Sequence, residues 1–150
     1  MTSSHQDKHP ASASQMGSGA IIQCRVRVTC GHYIAIGPGK MDLLAAIRAA
    51  GSISGAARHL GMSYRRAWLL VETMNQCFHQ PLVGTVTGGR SGGGAKLTLD
   101  GERVLAGYNT MMAEIVDVAE RHLQALLSAS PLAHEAEMPL ETGGSQGPAP

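Results

Sequence analysis

Between Ile21 and Ile36 apolar and polar positions alternate: Cys24, Val26 and Val28 are set between Gln23, Arg25 and Arg27. This is the two-residue period of a strand with one covered face. Cys30-Gly31-His32 interrupts the alternation before Tyr33-Ile34-Ala35-Ile36. The stretch therefore predicts a short hairpin or one bent strand, ended by Gly37-Pro38-Gly39. Beyond it the period lengthens to that of a helix. Met41, Leu44, Ala45 and Ile47 share one face of a helix that stops at Gly51. Ser54 is placed to cap a second, short helix through Leu60, and Gly61 suits the left-handed residue that closes it. Ser63 is placed to cap a third helix to about His79, with Met62 stapled onto Ala67. Ala67, Leu70, Val71, Met74 and Phe78 form its apolar stripe.

After Pro81 the period returns to two. Leu82 to Val86 and Lys96 to Leu99 read as strands around the loop Gly88-Gly89-Arg90-Ser91-Gly92-Gly93-Gly94. Asp100 is placed to cap a last, long helix to about Leu127. These patterns divide the chain into a tail (1–20), a compact unit (21–99), a long helix (100–128) and an acidic, proline-bearing tail (129–150). The tails carry too little apolar surface to order themselves. The fold class expected is mainly α with small β.

Two helices joined at Gly61 match a helix-turn-helix, whose second helix projects its first residues into the DNA major groove. Those residues are Ser63, Tyr64, Arg65 and Arg66. Arginine can bind guanine O6 and N7 with two hydrogen bonds, while serine and tyrosine hydroxyls reach phosphates or base edges. Ser54, at the start of the preceding helix, belongs to the same candidate set. The glycine-rich hairpin that follows makes the arrangement a winged one, with Arg90 and Lys96 as counter-charges for the DNA backbone. An ordinary helical hairpin with solvated arginines would show the same bare helix–Gly–helix pattern; the wing favours the DNA reading. The glycine loop does not read as a nucleotide site. Ala95 separates Gly94 from Lys96, and a strand-like run follows where a phosphate-binding loop would open a helix.

Charge supports the reading only once it is resolved by region. The net charge is +1, but residues 20–127 hold eleven Lys/Arg against seven Asp/Glu, while 128–150 hold three acids and no Lys/Arg. The mildly basic part is the part predicted to fold. No run approaches the ~18 apolar residues of a membrane span, and the first residues lack a signal-peptide core, so a cytoplasmic protein is expected. Cys24, Cys30 and Cys77 are odd in number and do not form a disulfide framework. Cys30-Gly31-His32 and Cys77-Phe78-His79 repeat a Cys-x-His spacing, which is not a usual structural zinc spacing. No metal and no cofactor are expected. Trp68 reads as packing rather than recognition. No catalytic Ser-His-Asp, paired-carboxylate or Cys-His set is apparent, so an enzyme is not expected.

The stretches GPGKMDLLAAI, GSISGAARHLGMSYRRAWLLVETMN, PLV and TGGRSGGGAKLT resemble the N-terminal DNA-binding domain of the ModE family of molybdenum-responsive transcriptional regulators. SYRRAW and the wing beginning TGGR are the most specific pieces, and the helix-turn-helix resembles that of LysR-type regulators more distantly. The resemblance implies a winged helix-turn-helix dimer that regulates transcription. It places Ser63, Tyr64, Arg65 and Arg66 at the start of the recognition helix and Arg90 on the wing. Full-length relatives carry molybdate-binding domains; residues 129–150 are not expected to build one, which leaves a separate sensor protein as a further candidate partner. The last helix carries Leu105, Tyr108, Met112, Ile115, Ala119, His122 and Leu126 at 3-4 spacing, widened by Val104, Met111 and Val118. That spare apolar face predicts a homodimer. Double-stranded DNA is the expected partner. The alternatives are a winged-helix protein-interaction module and a metal- or thiol-responsive regulator using the cysteines.

Overall fold

The computed structural model describes residues 13–15, 21–88 and 93–129. Two short strand pairs come first. β1 (Ala13–Gln15) pairs antiparallel with β2 (Ile21–Gln23), which places a short strand within the stretch expected to be a tail. β3 (Val28–Cys30) and β4 (Tyr33–Ile36) form a hairpin that turns at Gly31. The bend between β2 and β3 separates the two strand pairs, so the predicted alternation is distributed over two small sheets.

Three helices follow: α1 (Pro38–Ala50), α2 (Ile53–His59) and α3 (Tyr64–Cys77). Their joints are closed by glycine. Gly51 ends α1 at φ 70°, its N–H donating to the Ile47 carbonyl over 2.8 Å. Gly61, at φ 66°, reverses the chain after α2, and the Met62 N–H donates back to the Ala57 carbonyl over 3.0 Å. A side chain at either position would force an L residue into the left-handed region. Ser52, not Ser54, caps α2. Ser52 has extended backbone angles, and its Oγ accepts from the Gly55 N–H at 3.0 Å. Ser54 already lies inside the helix, where a residue cannot adopt the non-helical geometry of a cap.

Strand β5 (Val83–Val86) pairs antiparallel with β6 (Gly94–Leu97), and α4 (Leu99–Ala129) closes the chain. The second strand begins two residues earlier than the alternation suggests. Thr98, not Asp100, ends it and starts α4: the Thr98 Oγ1 accepts from the Gly101 N–H at 3.1 Å. Thr98 is also bound to the Pro81 and Leu82 carbonyls, so the cap doubles as a tie to the segment before β5. Asp100 stands in the first turn, where its charge favours the helix N-terminus.

The architecture is a winged helix-turn-helix, mainly α with small β. Its core is aliphatic: Leu43, Leu44, Ile47, Met74, Leu82, Leu105 and Met112 are fully buried. Ala56, Ala57 and Ala67 let the three helices approach closely at their crossing. The first half of α4 lies on this core through Gly101, Leu105, Tyr108 and Met112. With 31 residues the helix is ~46 Å long and runs well past the body it packs on. No helix among the described residues is long and apolar enough to cross a membrane.

Candidate nucleic-acid interface

The start of α3 is built to stay at the surface. Ser63 caps it, its Oγ accepting from the Arg66 N–H at 3.2 Å, and the first turn holds no acidic residue. Its partial positive charge is therefore unopposed by its own side chains. Ala67, Val71 and Met74 bury one face. At ~100° per residue, Arg65 and Leu69 stand on the opposite, outermost face. Tyr64 and Trp68 occupy one flank and Arg66 the other. Ser63, Tyr64, Arg65 and Arg66 are all exposed, Tyr64 at 56%. Trp68, expected to pack, is 44% exposed one turn beyond Tyr64. The buried stripe carried that information in the sequence, because Trp68 falls outside it.

The other end of α3 is fixed. Asn75 Oδ1 accepts from the Leu82 and Val83 N–H groups at 2.8 and 3.1 Å, while its Nδ2 donates to the Val83 carbonyl at 3.0 Å. One amide thus sets the recognition helix against the start of the wing. The wing is in turn tied to the α1–α2 joint: the Ala95 N–H donates to the Gly51 carbonyl at 3.0 Å. A Cβ at Gly94 would lie 2.8 Å from that same oxygen, so only glycine permits the approach. Lys96 is exposed on β6 opposite Gly84. Arg90 lies outside the described residues. Ser54 is exposed in the first turn of α2, a different element from the α3 cluster.

The β3–β4 hairpin meets the C-terminal end of α3. Burial there pushes the Cys77 thiol pKa up, neighbouring Cys30 adds to the rise, and Lys40 opposes it. Among the described residues no group of three or more His, Cys, Asp or Glu side chains is arranged to hold a metal ion.

The chain is similar to several known proteins over part of its length. It is 40% identical over 104 residues to the molybdenum-pterin-binding protein MopB of Rhodobacter capsulatus, covering 69% of this chain and 38% of that one. It is 45% identical over 76 residues to MopA of the same organism, covering 51% and 29%. It is 42% identical over 78 residues to the DNA-binding transcriptional dual regulator ModE of Escherichia coli (strain K12), covering 52% and 29%. The chain is similar to ModE over about half of its own length. It spans 29% to 38% of the length of these relatives. No protein-family model matches it. Among solved structures, the full-length LTTR LysG of Corynebacterium glutamicum aligns with 27% identity and a TM-score of 0.44, over 63% of this chain and 31% of that one.

Proposed function

We propose that the chain is a sequence-specific, DNA-binding transcriptional regulator that acts as a homodimer in the cytoplasm and has no enzymatic role. The observation that carries the reading is the exposed, acid-free start of α3, where Ser63, Tyr64, Arg65 and Arg66 stand on a helix anchored at its far end. A helix so held enters the major groove with its first turn. Arg65, on the outermost face, is the base reader, and one bidentate arginine–guanine pair discriminates by about 1–3 kcal/mol. The Ser63 and Tyr64 hydroxyls fix register, Ser54 adds a backbone contact from α2, and Lys96 with Arg90 supplies the wing's phosphate contacts. The regulator names of ModE relatives from Escherichia coli support the same reading.

The homodimer rests on α4. Beyond Ile115 it leaves Val118 and Leu126 exposed, the latter at 62%, on the side that continues the packed stripe. A second copy of the helix covers such a face. Two recognition helices then sit about one DNA turn (~34 Å), or a multiple, apart and select a palindrome. The test is selection from random duplexes by the purified chain, with and without molybdate. A palindromic sequence selected equally in both conditions is expected. No selection, or selection that requires molybdate, overturns the reading.

A further inference from the structure

The arginine-bearing segment between β2 and β3 was read from the sequence only as strand. In the structure it forms one wall of a surface cleft of about 380 Å³ whose opposite wall is α3. Arg25 and Arg27 line it from the hairpin side, Arg66 from the recognition helix, and Lys40 from the first turn of α1. No acidic residue lines the cleft. Arg25, Arg27 and Arg66 are exposed; Lys40 is buried and donates its Nζ hydrogen bond to the Ile34 carbonyl. The Arg27 stem crosses the start of α1, since a Cβ at Gly37 would meet its Cγ at 3.5 Å. Burial pushes the Lys40 pKa down, with Cys77 partly offsetting this. Basic side chains from three separate elements therefore line one opening, with Arg27 and Arg66 exposed on its two walls and no acidic residue among the lining residues.

We infer that this cleft takes phosphate groups of the DNA backbone beside the recognition helix, so that Arg66 works with Arg27 as a phosphate clamp rather than as a base reader. The inference rests on the DNA-binding reading above and deepens it. Continuity selects the occupant: Arg66 belongs to the same first turn as Arg65, so a duplex seated on Arg65 brings a strand to the cleft. The occupant's chemistry is a phosphate oxyanion, and the DNA strand is its source. Guanidinium groups suit it because they form paired hydrogen bonds with phosphate oxygens.

The test measures the affinity of the full chain for a selected duplex and for a scrambled one across a range of salt. Each phosphate contact contributes about 0.9 to the slope of log affinity against log salt. Because each substitution removes a contact from both copies in the homodimer, Arg27→Gln is expected to lower the slope by about 2, and Arg27→Gln/Arg66→Gln by about 4. Between about 50 and 200 mM salt, each lost contact makes the fall in affinity about 3.5-fold smaller. Both duplexes are expected to weaken by the same factor, and Arg27→Lys is expected to restore the slope, separating lost charge from lost folding. An unchanged slope in variants of wild-type circular dichroism, with the wild-type chain still selecting its site, overturns the cleft while leaving the DNA-binding reading intact. Loss confined to the selected duplex overturns the clamp and makes Arg66 a base reader. Calorimetry with inorganic phosphate is the remaining arm. Binding that disappears in Arg27→Gln while the DNA slope stays fixed reassigns the cleft to a free oxyanion and overturns the DNA source. A wild-type chain that selects no duplex removes the underlying reading and the inference with it.

Discussion

At its first turn α3 carries Tyr64, Arg65 and Arg66 to the surface, with few ties beyond the Ser63 cap. At its last turns the same helix buries Met74 and is held by three hydrogen bonds from Asn75 to the segment leading into the wing. The difference is a division of labour along one element. The side chains proposed to meet DNA stay solvated, and the geometry that aims them is fixed some 15 Å away (ten residues at ~1.5 Å each). Substitutions at the anchored end should therefore change stability, and those at the free end should change binding alone.

The largest effect is expected at the base of the anchor. A Cβ at Gly101 would lie 2.1 Å from the Leu82 carbonyl oxygen, a backbone atom with no rotamer to move aside. Gly101→Ala should cost about 3 kcal/mol, the upper part of the overpacking range, read as a lowered midpoint in urea unfolding. Asn75→Ala should follow at about 2 kcal/mol, because it leaves the buried Leu82 and Val83 N–H groups without their acceptor. Equal stability in this variant would show that Asn75 does not anchor the helix.

At the free end the signs exchange. Arg65→Ala should weaken the selected duplex by about 1.5 kcal/mol per half-site and relax preference at one base pair in each half-site, with stability within about 0.5 kcal/mol of wild type. An Arg65→Ala chain that unfolds more easily would remove the contrast between the two ends. Trp68 sharpens the same comparison. It is the only tryptophan in the chain and stands exposed on the α3 flank, so its fluorescence should shift when DNA binds and stay constant in Arg65→Ala at the same DNA concentration. An emission unchanged by saturating DNA would move the interface off this flank.

The smallest effect is expected at Tyr108, which joins α4 to the segment before β3 by donating its hydroxyl to the Val26 carbonyl at 3.2 Å. Tyr108→Phe should cost about 1 kcal/mol. Burial, reinforced by the charge of Asp42, raises the Tyr108 pKa. A raised folded-state value means that the neutral hydroxyl's contribution is complete below the ordinary pKa of about 10 and is lost as pH climbs through the folded value. The wild-type chain should lose part of its stability in that alkaline range, and the phenylalanine variant should lack that part.

Caps show where sequence reading stops. Ser63 was legible because a single serine precedes the helical stripe, and the structure has it capping α3. Before α2 two serines compete, Ser52 and Ser54, and the choice depends on where Gly51 turns the chain. Before α4, Asp100 has the better capping side chain, yet Thr98 takes the role because it also binds the Pro81 and Leu82 carbonyls, contacts some sixteen residues distant. The exposed start of α3 was equally legible from its stripe, whereas the place of Arg66 was not. Its neighbours Arg25 and Arg27 come from the segment between β2 and β3, about forty residues earlier, and no periodicity links them.

The sequence by itself determined the helices, their glycine joints, the strand alternation and the buried stripe of α3, because each follows from local backbone preference and from burial at a fixed period. Only the tertiary structure decided the Asn75 tie, the approach of Leu82 to Gly101, the meeting of Cys30 with Cys77, and the gathering of Arg25, Arg27, Lys40 and Arg66 around one cleft. Those depend on which faces of distant elements come together when the aliphatic core closes, and a pattern read along the chain carries no measure of distance across it.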